Sequence, residues 1–141
     1  MSEEENRICV RSDPGDLPLV RSLVERIAAR AGFDEQDAGR LVLAVDEAIA
    51  NVIKHGYEGR GDQPVEVSAR RIEEDGTPGI ALEIRDFGKQ VPPEVICGRD
   101  LQDVRPGGLG VHIIRTVMDR VEYAAAEGGG MRLKMVKLKS T

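Results

Sequence analysis

Between Leu41 and Ile53 the apolar residues recur at helical spacing, while the polar groups keep to a different side of the same wheel. Successive helical residues lie about 100° apart, so with Glu47 at zero Asn51 falls near +40°, Lys54 near −20° and His55 near +80°, an arc of roughly 100°. Leu41, Val42, Val45, Ala48, Ile49, Val52 and Ile53 spread from about +100° to +240°. Such a helix needs a broad apolar partner on one side, which a sheet supplies, and leaves a second, polar stripe outside the core. The apolar stripe is fit to pack on a sheet, and the polar stripe is not core.

The remaining elements agree. Asn6 to Arg11 reads as a short strand, and Asp13-Pro14-Gly15-Asp16 supplies turn and helix-start signals. Leu17, Val20, Val24, Ile27, Ala28 and Ala31 repeat at helical spacing until Gly32, and Asp34 starts the polar-striped helix, which runs to near Gly56. Val65, Val67 and Ala69 alternate as a strand, joined through a loop at Glu73 to Pro78 to a strand ending at Asp86, in which Ile80, Leu82 and Ile84 share one face. Gly88 to Gly108 carries few periodic apolar positions, and a connection that long inside a compact domain is usually functional; it is the expected lid. A third helix of about ten residues follows from Val111, Ile113, Ile114, Val117 and Met118. Strands at Arg120 to Ala125 and Met131 to Leu138 flank Gly128-Gly129-Gly130, and the slip of phase at Val136 and Leu138 predicts a bulge or a strand end. Three helices and about five strands, mostly in hairpins, make a single α+β domain over 1–141 with one sheet face covered.

The polar stripe carries the chemistry. An amide oxygen suits Mg²⁺, a hard cation usually held by few protein groups together with substrate phosphates and water, and Asn51 fits that role. A carboxylate one turn earlier can orient and deprotonate an attacking hydroxyl, which points to Glu47 as base, with Asp46 next in line. Lys54, one turn after Asn51, places a positive charge for a terminal phosphate. Taken alone an E-x-x-x-N spacing is a solvated helix face; the glycines elsewhere change that reading. Gly107-Gly108-Leu109-Gly110 stands before the third helix, where missing Cβ atoms let backbone N–H groups approach an anion, phosphate above all. It lacks the Lys-Ser/Thr ending of a P-loop, and no dinucleotide-type GxGxxG follows a strand. Asp86, at a strand end before Phe87-Gly88, can accept a hydrogen bond from the exocyclic amino group of adenine, which guanine replaces by a carbonyl. Lys89 and Arg105 flank the expected lid and can meet phosphate or an acidic partner.

The order E-x-x-x-N, D-x-G, GGLG resembles the GHKL ATPase fold of gyrase, MutL, histidine kinases and the large ATP-dependent chaperones. Within it, DEAIANVIKHGY and GGLGVHIIRTVMDRVEY are similar to the small anti-sigma-factor serine kinases of the RsbW and SpoIIAB type, over roughly Asp16 to Leu138. The resemblance implies a two-layer sandwich of a mostly antiparallel mixed sheet with three helices on one face. It implies ATP and Mg²⁺, with Glu47 as base, Asn51 as metal ligand, Asp86 and Gly88 at adenine, and Gly108 and Gly110 at the phosphates. It also implies two protein partners, a sigma factor held in check and a STAS-domain antagonist whose serine accepts the phosphate, and relatives of this type suggest a homodimer. Two positions depart from the family pattern: Gln90 replaces the second glycine of D-x-G-x-G, and Met131 replaces a Thr whose hydroxyl assists adenine recognition. The competing class is a non-catalytic module that uses ATP only to order its lid and hold a partner.

Charge and composition exclude other classes. With 25 acidic and 20 basic residues the net charge is −5, which disfavours nonspecific binding to nucleic acid or anionic membrane. No Trp, two Tyr and two Phe leave no aromatic platform for stacking on single strands. The acidic segment Met1 to Glu5 has no basic and apolar signal pattern, and Cys9 and Cys97 have no CxxC partner, so the expected compartment is the reducing cytoplasm. His55 and His112, without a cysteine partner nearby, make no zinc site.

Overall fold

Capping chemistry sets the two long helices in place. Asp13 accepts a hydrogen bond from the Gly15 amide at 2.9 Å and so closes a single 3₁₀ turn, Pro14–Asp16, ahead of α1 (Leu17–Arg30). Asp34 accepts from the Asp37 amide at 2.8 Å and starts α2 (Glu35–Asn51); such a cap typically contributes about 1 kcal/mol. Between them Gly32 takes φ +85°, a left-handed conformation that lets the chain reverse within a few residues.

The computed structural model describes residues 6–88 and 113–139. Besides the two helices it holds strands β1 (Asn6–Arg11), β2 (Pro64–Glu74), β3 (Thr77–Asp86), β4 (Arg120–Ala125) and β5 (Met131–Leu138), with a helical stretch α3 at 113–117 before β4. The strands pair in the order β1-β2-β3-β5-β4, and all four pairings are antiparallel. The mixed sheet expected from sequence is therefore purely antiparallel among the described residues. Strands that return through hairpins, as β2–β3 and β4–β5 do, can only be antiparallel neighbours.

One local expectation is corrected, and another is decided between its two outcomes. The loop expected at Glu73 to Pro78 is only Asp75-Gly76, because β2 runs on to Glu74 and β3 begins at Thr77. Asp75 and Gly76 both have positive φ, +50° and +82°, the type I′ geometry whose twist matches that of the flanking strands. Of the two outcomes expected at Val136 and Leu138 the structure shows the strand end and not the bulge: β5 stops at Leu138, and its residues pair one to one with β3 from Arg132 to Leu138 and with β4 from Met131 to Val136. The apparent slip arises because Met131, Leu133 and Met135 face inward, while Val136 and Leu138 are apolar residues on the outer face.

Val65, Val67 and Ala69 on β2, Ile80, Leu82 and Ile84 on β3, and Leu133 and Met135 on β5 form the inward face. They are buried against Val20, Val24 and Ile27 of α1 and Leu41, Val45, Ala48 and Ile49 of α2, and Ile114 and Met118 at the α3 end join the same cluster. Each fully buried Val, Leu or Ile contributes about 1.5–3 kcal/mol relative to exposure, so the inward register of the sheet is strongly specified. Asp46 ties the helices together at the edge of this layer. The Arg21 Nε donates to both of its oxygens at 3.1 Å, and the Arg21 Nη2 lies 2.9 Å from Oδ2.

Candidate functional site

Along β3 the inward residues run Ile80, Leu82, Ile84 and then Asp86, so strand alternation drives a carboxylate into the position where the next core residue would stand. Asp86 is 3% exposed. Its Oδ1 accepts hydrogen bonds from the Gly88 amide at 3.0 Å and the Met131 amide at 3.2 Å. Burial pushes its carboxyl above the ordinary carboxylate value, and the two amide donors and the nearby Arg85 only partly offset this. Its other oxygen accepts from no donor among the described residues. A buried carboxylate held by one oxygen, with the second on offer, is a recognition group for a ligand N–H.

Glycines make room around it. A Cβ on Gly56 would sit 3.4 Å from Asp86 Oδ1 and 3.5 Å from Oδ2, so the bare backbone of the helix end leaves the carboxylate open on that side. A Cβ on Gly88 would meet the Gly56 carbonyl oxygen at 2.3 Å and the Tyr57 ring at 2.7 Å, a backbone approach that only glycine permits.

The helix bearing the polar stripe changes pitch here. After Asn51 it widens into one π turn, Val52–Gly56, closed by the Tyr57 amide donating to the Val52 carbonyl at 3.0 Å. A turn closed five residues apart rotates less per residue than an α-helix, so the wheel expected from sequence shifts beyond Asn51. His55 falls back over Asn51 and lines the recess beside Asp86, whereas Lys54 is exposed and stands away from it. Ala48, Asn51, Val52 and Gly56 complete the helical wall, and Ile84, Tyr123, Met131 and Leu133 complete the sheet side. The result is a narrow, mostly apolar slot of about 30 Å³ with Asp86 and Asn51 as its polar ends.

Asn51 is half-buried, and its Nδ2 has no hydrogen-bond partner among the described residues. An orphaned buried amide is costly unless a ligand organises it. Among the described residues no group of three or more His, Cys, Asp or Glu could hold a metal by itself. An amide oxygen such as that of Asn51 suits a cation such as Mg²⁺ held together with substrate phosphates and water. Glu47 lies half-buried one turn before Asn51, outside the slot itself. Asp46, its neighbour, is engaged by Arg21 and faces α1. Arg105, Gly107, Gly108, Leu109 and Gly110, together with Lys89, Gln90, Cys97, His112 and the expected lid, lie outside the described residues.

Three contributors were not singled out by residue type. Tyr57 closes the π turn, and its hydroxyl meets the backbone at Pro64, where β2 begins, and at Phe87, just after β3. Gly130 takes φ +78° directly against Asp86. The Met131 backbone, at the position of the departure from Thr, holds the Asp86 carboxylate while its side chain lines the slot. The signal for the last two was the glycine run ahead of β5, which reads in sequence as an ordinary hairpin turn. A wider groove of about 340 Å³ on the opposite sheet face is lined by Arg7, Glu66, Ser68, Glu83, Arg85, Phe87 and Arg132. Its Arg132 and Glu83 pair at 2.7 Å, and Arg85 donates to the Glu127 and Gly129 carbonyls, so its charges are largely spent within the protein.

The raised carboxyl of Asp86 has a signed consequence. A carboxyl whose folded value exceeds its unfolded one favours the folded state most below the unfolded value of about 3.9, and that contribution disappears as pH rises through the folded value. Ionisation of Asp86 is therefore a cost to the ligand-free chain. Asp86→Asn, whose amide oxygen can still accept from Gly88 and Met131, is expected to melt no lower than wild type at pH 7. The wild type should gain on it as pH falls through the raised value. Thermal melts of both proteins across pH 3.5–8 check this; a wild-type advantage that grows with pH would contradict it.

The model of the histidine kinase-like ATPase domain matches residues 10–137. A serine-protein kinase RsbW of Listeria innocua serovar 6a is 34% identical over 123 residues, covering 82% of this chain and 76% of the relative. The RsbW serine-protein kinase of Halalkalibacterium halodurans is 33% identical over 122 residues, covering 84% and 74%. That of Bacillus pumilus is 25% identical over 126 residues, covering 84% and 77%.

Proposed function

Since the chain belongs to the histidine kinase-like ATPase domain family, and within it to the RsbW-type serine-protein kinases, we propose that it is an ATP-dependent serine/threonine protein kinase and anti-sigma factor. It phosphorylates a serine of a STAS-domain antagonist and, when that antagonist is unavailable, holds a sigma factor. It works as a homodimer in the cytoplasm; among its described residues no helix is long and apolar enough to cross a membrane. The single observation that carries the nucleotide reading is the buried Asp86 carboxylate, held by one oxygen at the end of the apolar slot with the other on offer.

In this reading adenine occupies the slot between the π turn and the sheet. Asp86 accepts from its exocyclic amino group, and Ile84, Leu133 and Met131 cover the ring. Asn51 carries its amide towards the phosphates, where Mg²⁺ supplies charge neutralisation of the transferring group. Glu47, one turn earlier, accepts the proton of the serine hydroxyl as its oxygen bonds to the γ-phosphorus and the bond to the β-phosphate oxygen breaks, releasing ADP. Little covalent chemistry is asked of the protein, which positions and neutralises, so a small domain suffices. Lys54, exposed, and Arg105, Gly107, Gly108, Leu109 and Gly110 are assigned to the phosphates, and Gly88 to the adenine loop.

The test is direct. Purified chain, labelled ATP and a recombinant STAS-domain antagonist are mixed, and serine phosphate is followed with time. Transfer from ATP and not from GTP is expected, because a carboxylate facing the guanine carbonyl repels it. Equal use of the two nucleotides would remove the adenine assignment, and tight binding of ATP and antagonist with no transfer would leave the chain a binding module only.

A further inference from the structure

We propose that Tyr57, which lines no part of the slot, is the positioning residue that sets the purine selectivity of Asp86, by gripping the peptide that links Asp86 to Phe87. The proposal rests on the reading of the slot as an adenine site.

Tyr57 is 4% exposed and stands where the π turn ends. Its hydroxyl donates to the Pro64 carbonyl at 2.5 Å, at the start of β2, and accepts from the Phe87 amide at 2.7 Å. A hydroxyl can do both at once, and no apolar ring can do either. The Phe87 N–H belongs to the peptide unit whose carbonyl is that of Asp86. On its carbonyl side this unit packs on the backbone of Gly130, where even a Cβ would lie 2.0 Å from the Asp86 oxygen. The peptide is thus held from both edges, by Gly130 on one and by the Tyr57 hydroxyl on the other.

What that grip controls follows from connectivity. Turning the Asp86–Phe87 peptide changes the backbone angle that aims Asp86 and carries the Gly88 amide, two residues on, away from Oδ1. The Met131 amide alone, at 3.2 Å, would then orient the carboxylate. Phe87 is 44% exposed on the other face beneath the Arg85 guanidinium, 4.6 Å from the ring centre, so its side chain does not anchor the inner side of the loop. Tyr57 also fills the space against Gly88, so the ring sets how closely the loop approaches and the hydroxyl sets its tilt. Burial raises the Tyr57 hydroxyl above its ordinary value, which keeps it protonated and able to donate to Pro64.

The experiment compares Tyr57→Phe with wild type in calorimetric titrations against ADP, inosine diphosphate and tripolyphosphate, each with Mg²⁺. Inosine carries a carbonyl where adenine carries the amino group and an N1–H where adenine has a bare N1, so it reports recognition of that edge of the ring, the edge assigned to Asp86. Tyr57→Phe is expected to bind ADP about tenfold more weakly, as for one lost hydrogen bond to a charged group, while inosine diphosphate and tripolyphosphate stay within about twofold. A purely structural role would weaken all three together, and an unchanged preference for ADP over inosine diphosphate overturns the proposal. Asp86→Asn separates the two levels of the argument. If it abolishes the preference while Tyr57→Phe keeps it, only the role of Tyr57 falls; if wild type shows no preference, the adenine reading falls and this proposal with it. On the Asp86→Asn background Tyr57→Phe should change the preference no further. Should Tyr57→Phe fail to fold, amide exchange in the wild type decides: the Phe87 N–H is expected to slow at least about tenfold with ADP and not with tripolyphosphate, and equal slowing with both overturns the proposal.

Discussion

Glu47→Gln is expected to lower serine phosphorylation by something on the order of 10²–10⁴-fold while ATP affinity stays within about twofold of wild type. The substitution keeps shape and helix propensity and removes only the ability to take a proton. Glu47 stands outside the slot that is assigned to adenine, one turn before Asn51, so ground-state binding should not register its loss. Its neighbour Asp46 is poorly placed to take over, because Arg21 holds both of its oxygens and turns it towards α1. The expected signature is a fall in kcat with little change in KM for ATP, the pattern of a group that acts in the transition state. Single-turnover transfer to the antagonist serine, read together with a nucleotide titration, checks it. An unchanged rate would move the base elsewhere, with Asp46 the next candidate once Arg21 releases it, and a parallel loss of ATP affinity would make Glu47 a binding residue.

Gly130→Ala is the second large effect, and it enters through the backbone. At φ +78° an L-residue is already strained, and here a Cβ would also lie 2.0 Å from the Asp86 carbonyl oxygen and 2.6 Å from Phe87 Cα. Both contacts are to backbone, so neither can yield by a change of rotamer. The combined cost is expected to be about 2–4 kcal/mol of stability. Because relief requires β5 to withdraw from β3 at Met131, the amide donor to Asp86 should leave with it, and ADP affinity should drop by more than about tenfold, the equivalent of one such hydrogen bond. Gly128→Ala is the matched control: φ is similar, +88°, but nothing lies within 4 Å of the added carbon. It should cost only the conformational strain, about 1–2 kcal/mol, and leave ADP affinity unchanged. Denaturant unfolding and calorimetry on both variants decide the point, and equal losses in the two would mean that the close approach at Gly130 is not what matters.

Much of this was legible in the chain itself, and the reason is periodicity. The separation of Glu47 and Asn51 from the stripe Leu41, Val45, Ala48 and Ile49 follows from the helical repeat alone, and the structure buries that stripe on the sheet. The alternation Ile80, Leu82, Ile84 leading to Asp86 already placed a carboxylate in the inward phase, since a strand has only two faces. Asp75-Gly76 likewise carried its own two-residue turn, although the flanking Glu73 and Pro78 made it read as a longer loop.

What a local repeat cannot encode is a departure from it. The π turn at Val52–Gly56 keeps His55 over Asn51 but turns Lys54 away from the slot, and nothing in the spacing of Val52, Ile53 and Lys54 announces an extra residue in the turn. Long-range partners are equally silent in a one-dimensional pattern. Asp86 receives the Met131 amide 45 positions away, Tyr57 grips Phe87 across 30, and Arg21 claims Asp46 across 25. Sequence by itself determined which residues face the core and which face away, because that depends only on the geometry of each element. The tertiary structure alone decided how the Asp86 carboxylate is held and aimed, because that depends on the Met131 amide of β5 meeting the Gly88 amide at the end of β3, with the Tyr57 hydroxyl accepting from the Phe87 N–H between them.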